Sequence, residues 1–156
     1  MPETFIELSP HDEASLCQTM TELEFCDIPF DGYNIPELLG KKPSCLMPED
    51  VLRLRSEGKI SPHKQLALHL RTRERTVEQT LDRIRLAARN HVNIALLVTG
   101  DPIAERREHG THAHEVIQAQ TEPLPIRIGM AADIYQPDWG RWEKKIPALG
   151  KTVDAI

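Results

Sequence analysis

Short apolar runs rich in β-forming residues alternate with longer amphipathic segments along this chain, and that alternation leaves few possible folds. The predicted strands cover residues 4–8, 31–35, 65–70, 92–98, 125–132 and 152–156. The predicted helices cover residues 12–24, 48–56, 76–90, 111–120 and 138–149. Regular alternation of strands and helices favours a parallel sheet assembled from right-handed βαβ units.

Two adjacent segments give the clearest patterns. Residues 92–98 are almost wholly apolar, which is typical of a strand buried on both faces of a parallel sheet. Before them, residues 76–90 carry one apolar stripe at helical spacing, and Thr76 with Gln79 resembles a capping box. Neither GxGxxG nor GxxxxGK[ST] occurs, so the sequence supports no dinucleotide-binding fingerprint and no P-loop. A barrel and a flavodoxin-like open sheet both remain consistent with the pattern.

Composition excludes several classes of function. The net charge of −5 argues against a protein that binds nucleic acid or a membrane surface, because such proteins usually carry a basic excess. No apolar run reaches the roughly 20 residues of a membrane span, and the N-terminus lacks the features of a secretory signal. The three cysteines lack CxxC spacing, so we expect reduced thiols, a cytoplasmic location and no metal site.

The chain contains no low-complexity linker, and we predict a single domain over residues 1–156. Residues 152–156 look like the beginning of a sixth strand, whereas a complete (β/α)8 barrel usually needs about 250 residues. We therefore expect an incomplete barrel that a completing polypeptide or a homo-oligomer would close. The alternative is that residues 152–156 form a short edge strand or a disordered tail.

Several blocks of sequence resemble the methylenetetrahydrofolate reductase family. Residues 93–102 read NIALLVTGDP, similar to the fourth strand of that family and the loop that follows it. Residues 6–10, IELSP, resemble its first strand, and His69-Leu70 matches the end of its third. Residues 130–132 with Gln136 and Pro137 resemble its fifth strand and the next loop. The resemblance implies an α/β fold, a partial (β/α)8 TIM-type barrel of about five to six βα units.

The same resemblance implies a flavin enzyme that reduces 5,10-methylenetetrahydrofolate to 5-methyltetrahydrofolate, with FAD bound and NADH or NADPH as hydride donor. Glu7 would be the general acid, because a buried carboxyl can deliver a proton near neutral pH. Asp101 would lie beside the pyrimidine edge of the flavin and tune it. The remaining cofactor-binding residues would be Asn34, His69, Gly100, Ala132, Gln136 and Lys145.

Each of these residues also has a structural interpretation. Glu7 could face solvent on an edge strand, His69 could be a hydrogen-bonded barrel histidine, and Asp101 could be a turn residue before a proline. The sequence also departs from the family, since Thr99 stands where an arginine is common. A non-catalytic fragment or accessory subunit is therefore an alternative, as is a flavin-free pterin-binding protein in methyl transfer.

His109, His112 and His114 cluster in the sequence, and a metal site is an obvious hypothesis for them. No HExxH motif accompanies them, and His112 and His114 should point to different faces of a helix. We therefore expect a solvated loop and helix start at this position.

Overall fold

The computed structural model describes residues 3–39, 45–101, 103 and 109–130. Within these ranges five strands alternate with four helices. They are β1 Phe5–Glu7, α1 Glu13–Phe25, β2 Gly32–Ile35, α2 Pro48–Ser56, β3 Gln65–Arg71, α3 Val77–Arg89, β4 Ile94–Val98, α4 Ala113–Ala119 and β5 Arg127–Met130. The strands form one sheet in the order β1-β2-β3-β4-β5, and every neighbouring pair is parallel. The predicted α/β alternation and parallel pairing are confirmed.

Local signals placed the elements to within two residues at most ends. The capping box at the start of α3 is present, since Thr76 accepts from the Gln79 amide and Gln79 accepts from the Thr76 amide. Gly58 follows α2 with a φ of 73°, a left-handed conformation that glycine adopts without a steric penalty. The predicted helix 138–149 and strand 152–156 lie outside the described residues.

One face of the sheet packs against the helices and forms the core. Side chains alternate between the faces of a strand, so residues two apart share a face. The strand residues that belong to this core, or in the case of Ile6 pack against it, are Ile6, Tyr33, Ile35, Leu66, Leu68, Leu70, Ala95, Leu97 and Ile128. They pack against apolar residues of all four helices, including Leu16, Leu54, Ile84 and Val116. This apolar core holds the five strands in place.

The opposite side of the sheet, which we call the open face, is more polar. Its rows of side chains follow from the strand register. Glu7, Asn34, Ala67, Ile94 and Arg127 are adjacent in one row, and His69, Leu96 and Gly129 are adjacent in the next row towards the carboxyl ends. Polar and small residues therefore concentrate on the face that the helices leave uncovered.

No helix in the described ranges is both long enough and apolar enough to cross a membrane.

Candidate functional site

Three of the predicted site residues meet on the open face near the carboxyl ends of the first three strands. Glu7 ends β1 and is in register with Asn34 on β2, whose side-chain amide donates to Glu7 Oε2 at 3.4 Å. His69 lies on β3, two residues beyond Ala67, which is the partner of Asn34 in the register. We call Glu7, Asn34 and His69 the mouth cluster. The carboxyl ends of parallel strands are where α/β proteins usually bind ligands.

Two polar atoms of the mouth cluster are buried without a hydrogen-bond partner. They are Asn34 Oδ1 and His69 Nε2. A buried polar atom left unpaired costs about 1–3 kcal/mol, so a native fold retains few of them, and each calls for an explanation. A ligand that brings a hydrogen-bond donor to Asn34 and a polar group to His69 would remove this cost.

The protonation of His69 follows from its surroundings. Burial lowers the pKa of His69 below its ordinary value of 6.5, and the nearby Glu7 carboxylate partly opposes this shift. The imidazole is therefore neutral at pH 7 and has one nitrogen that donates and one that accepts. A neutral ring in this position can bind an uncharged polar group of a ligand.

Small and apolar residues adjoin the cluster on the open face. Ala67 and Ile94 are buried beside it in the same row, and Leu96 and Gly129 continue the row of His69. Such a surface suits the face of a flat ring, while the mouth cluster suits its polar edge. Glu7 itself is exposed, so the burial expected for a general acid is not present among the described residues.

Gly100 and Asp101 follow β4, the fourth strand of the sheet. Gly100 has a φ of 77°, a left-handed conformation that suits glycine. Asp101 is exposed, and its backbone carbonyl accepts a hydrogen bond from Arg71 Nη2 at 2.6 Å. These two residues lie at the same end of the sheet as the mouth cluster but two strands beyond Asn34.

The remaining predicted cofactor-binding residues, Ala132, Gln136 and Lys145, lie outside the described residues. The described part of the predicted site is therefore the mouth cluster together with the Gly100-Asp101 turn.

A buried ion-pair network behind the mouth was missed by the sequence interpretation. Glu37 has a fully buried side chain that accepts from Arg75 at 3.0 Å, from Arg83 at 2.8 Å and from the backbone amide of Arg71 at 2.8 Å. Arg71 in turn pairs with Glu74. The available signal was Arg71 itself, a charged residue at the end of a strand that otherwise contains mainly apolar residues.

The histidine cluster differs from the expectation in its geometry. The rings of His112 and His114 stack with their centroids 5.6 Å apart and their planes 22° apart, instead of pointing in different directions. The reason is that His112 is the extended N-cap of α4, so the spacing rule for two helical residues does not apply to it. No group of three or more potential metal ligands occurs within the described ranges.

No family model, curated protein or solved structure matches the chain. Any functional conclusion therefore depends on the geometry of the site and on the sequence resemblance.

Proposed function

We propose that the chain forms part of a (β/α)8-type barrel whose mouth binds a reduced folate and takes part in the flavin-dependent reduction of its methylene bridge. The observation that carries the proposal is the mouth cluster, a carboxylate beside two buried polar atoms without partners at the carboxyl ends of parallel strands. This combination of a carboxyl group and unsatisfied hydrogen-bonding groups is typical of a ligand site.

Strand order supports the barrel. In doubly wound sheets the order reverses at a switch point, where the chain begins to add strands on the other side. Here each new strand is added beside the previous one, from β1 to β5, as in a barrel.

Curvature of the sheet supports the barrel independently. Strands lie about 4.8 Å apart, so β1 and β5 would be separated by about 19 Å in a flat sheet. Nevertheless, Glu3 just before β1 and Arg127 at the start of β5 form an ion pair of 2.7 Å. Their side chains together reach about 12 Å at full extension, from bond lengths near 1.5 Å. The open face must therefore be concave, as the inside of a barrel is.

Glu3, Arg127, Gln65 and Gly32 lie together at this end of the open face, and we call them the floor. Gln65 on β3 bridges the ion pair, donating to Glu3 at 2.7 Å and accepting from Arg127 at 2.6 Å. Gly32 on β2 leaves room for its neighbours, because a Cβ there would lie 2.7 Å from the Phe5 ring. The absence of a side chain at this position lets the adjacent side chains converge over β2.

Glu7 would supply the proton in the reaction. Opening a methylene bridge between two nitrogens requires protonation of one of them, which leaves an iminium that accepts hydride. The Asn34 amide donates to the Glu7 carboxylate and fixes its orientation. Its other amide atom, Oδ1, is free to accept from a ring N–H or amino group of the pterin.

The residues at the mouth also offer polar groups that fit a flavin. The buried Nε2 of His69 lacks a partner and fits a polar group of a cofactor, and Asp101 is exposed beside the turn. His69, Asp101 and the backbone at Gly100 would hold it, together with the predicted residues beyond the described ranges. When bound, the flavin would supply the hydride that it takes from NADH or NADPH.

A specific observation favours a second candidate, a flavin-free pterin-binding protein. The space that the missing side chain of Gly100 leaves is filled by the guanidinium of Arg71. No ring can enter on that side of the turn, and Thr99 replaces the arginine common in the flavin family. The mouth cluster alone retains the groups that a pterin edge needs.

The deciding experiment adds FAD to the purified chain, removes free cofactor by gel filtration and records the visible spectrum, with tetrahydrofolate binding measured in parallel by calorimetry. Retained flavin and folate binding support the reductase. Folate binding without flavin supports the second candidate. Loss of both overturns the proposal.

The role of Glu7 has a matched control on α1. Glu7→Gln should keep ligand binding but slow reduction of the methylene bridge at least about 100-fold, the contribution of a general acid. Glu24→Gln changes another exposed carboxylate and should leave the rate unchanged. Equal rates of reduction for the two variants would show that Glu7 is not the general acid.

A further inference from the structure

We propose that Arg71 is a positioning residue that fixes the Gly100-Asp101 turn and so determines where the Asp101 carboxylate lies. The inference rests on the proposed function in one respect, namely that Asp101 contacts the ligand. Arg71 itself acts only through the turn.

Two of the three nitrogens of the Arg71 guanidinium donate to protein oxygens. The guanidinium donates from Nε and Nη2 to the two carboxylate oxygens of Glu74, at 3.2 and 2.6 Å, and from Nη2 to the Asp101 carbonyl at 2.6 Å. The side chains of Arg71 and Glu74 are only 10% and 5% exposed. A bidentate pair of this kind fixes the orientation of the guanidinium, so Nη2 points at the Asp101 carbonyl.

Charge excludes the simpler interpretation that Arg71 binds an anionic ligand. Burial opposes ionisation of Glu74, but the paired guanidinium outweighs burial and lowers the pKa of Glu74 below its ordinary value. Glu74 is therefore ionised at pH 7 and neutralises Arg71. With Nε and Nη2 directed to protein oxygens, the guanidinium acts as a structural group at the mouth.

Gly100 and Arg71 fit together as one unit. A Cβ on Gly100 would overlap three atoms of the guanidinium. Any side chain at position 100 would thus displace Arg71 from the Asp101 carbonyl. Glycine suits this position for two reasons, the left-handed backbone and the space that the guanidinium occupies.

The backbone of Arg71 is fixed as firmly as its side chain. Its amide donates to the buried Glu37 carboxylate at 2.8 Å, and its carbonyl accepts from Arg75 at 3.2 Å. Beyond β3, the amides of Thr72 and Arg73 continue the pairing to the Val98 and Thr99 carbonyls, at 3.0 and 3.3 Å. The turn is therefore held from the neighbouring strand by both backbone and side-chain contacts.

Local hydrogen exchange tests the proposal without any ligand. In Arg71→Met, exchange of the Arg73 amide, which donates to the Thr99 carbonyl at the turn, should accelerate about tenfold, the loss expected when a charged hydrogen bond is removed. Amides of α1 should be unchanged. Arg53→Met, which removes an exposed arginine paired with Glu57, should leave amide exchange at the turn unchanged. Unchanged exchange at the turn in Arg71→Met would overturn the proposal.

Because Arg71→Met leaves Glu74 buried without its partner, the variant could unfold. The double substitution R71M/E74M removes both charges, and replacing a buried pair with apolar residues is commonly well tolerated. It should fold and show the same local acceleration at the turn. A folded double variant with normal exchange at the turn would equally overturn the proposal.

A second cycle tests the contact between Arg71 and Gly100. Gly100→Ala should lower the midpoint of thermal unfolding more in the natural chain than in R71M/E74M, since the clash is absent from the latter. Equal shifts in the two backgrounds would exclude the fit between Gly100 and Arg71.

Ligand binding separates a positioning role from a purely structural one. If Arg71 acts through Asp101, R71M/E74M should weaken binding of FAD or tetrahydrofolate several-fold in the natural chain but not in the Asp101→Ala background. An equal loss in both backgrounds would overturn the positioning role. A natural chain that binds neither ligand would overturn the proposed function alone, because hydrogen exchange still decides whether Arg71 fixes the turn.

Discussion

Asn34 and Glu37 lie three residues apart around the end of β2, but their side chains have opposite surroundings. The Glu37 carboxylate is fully buried and accepts from two arginines and one backbone amide. Asn34 donates one long hydrogen bond to Glu7, and its Oδ1 is buried without a partner. Glu37 faces the network behind the sheet, whereas Asn34 is part of the open face.

The comparison separates buried polar residues whose hydrogen bonds stabilise the fold from buried polar residues that lack a partner and so reduce its stability. A buried carboxylate with three donors holds elements together, since β2, β3 and α3 all meet at Glu37. A buried amide oxygen without a partner costs stability, and a ligand that donates to it would remove that cost. Four predictions, from the largest expected effect to the smallest, test this division.

The paired side of the comparison predicts a large loss of stability in Glu37→Gln. The substitution leaves the buried guanidinium of Arg75 without its carboxylate and leaves Arg83 with Glu49 alone, which should lower the free energy of unfolding by about 3 kcal/mol. Urea denaturation followed by circular dichroism measures this. The control Glu57→Gln changes an exposed ion pair and should have little effect. Similar midpoints for the two variants would contradict the role given to Glu37.

For the unpaired residue, Asn34, we expect no loss in the free energy of unfolding when it is replaced by leucine. Removing an unsatisfied polar atom should leave the free energy of unfolding unchanged or raise it by up to about 1 kcal/mol, while ligand binding is lost. Asn93→Leu is the matched control, because Asn93 Oδ1 accepts from the Leu66 amide at 2.9 Å. That variant should lose about 1–2 kcal/mol in the same denaturation experiment. A destabilised Asn34→Leu would mean that Asn34 is a structural residue like Glu37.

His69 sharpens the comparison through pH. Burial lowers its pKa in the folded state below the unfolded value of 6.5, so the unfolded chain binds the proton more tightly. Above pH 6.5 the His69 imidazole is neutral in both states and does not reduce the free energy of unfolding. As the pH falls from 6.5 through the lowered pKa, protonation favours the unfolded chain and the free energy of unfolding decreases. Replacement by leucine should therefore flatten the decline in unfolding free energy between pH 7 and pH 5. His63→Leu, at an exposed position, should keep the natural decline, and an identical decline in all three proteins would show that His69 is not desolvated.

The floor gives the smallest expected effect, because both partners of its ion pair are partly exposed. Reversing one charge, in Glu3→Arg or Arg127→Glu, should lower the unfolding midpoint slightly, and the double reversal should restore it. Non-additivity of this kind requires contact between the two side chains and so between the two ends of the sheet. Additive effects would argue for a flatter sheet.

Much of the fold could be predicted from local patterns. The apolar run before Thr99, the capping box at Thr76 and the glycine after α2 each act over a few residues, so they can be recognised without knowing the fold. Parallel pairing followed from the alternation of elements. The sequence also placed Glu7, His69 and Asp101 at or just after strand ends, and carboxyl ends of parallel strands share one edge. The contact of Asn34 with Glu7 came only from the structure.

Other features were beyond local reasoning. Gly100 was predicted to bind a cofactor, and nothing in the sequence indicated that the space beside it holds Arg71, which lies 29 positions earlier. The stacking of His112 on His114 depended on where α4 begins. Glu37 gave no signal as a buried residue, since its partners come from β3, from α3 and from the segment between them.

The sequence by itself determined the order and type of the elements and which residues end the strands, since hydrophobic periodicity and capping act between near neighbours. Only the tertiary structure decided which polar groups are satisfied. Pairing of Glu37 with Arg83, of Arg71 with the Asp101 carbonyl and of Glu3 with Arg127 depends on strand order and on sheet curvature. Those are properties of the whole sheet, and they leave Asn34 and His69 each with a buried atom that has no hydrogen-bond partner.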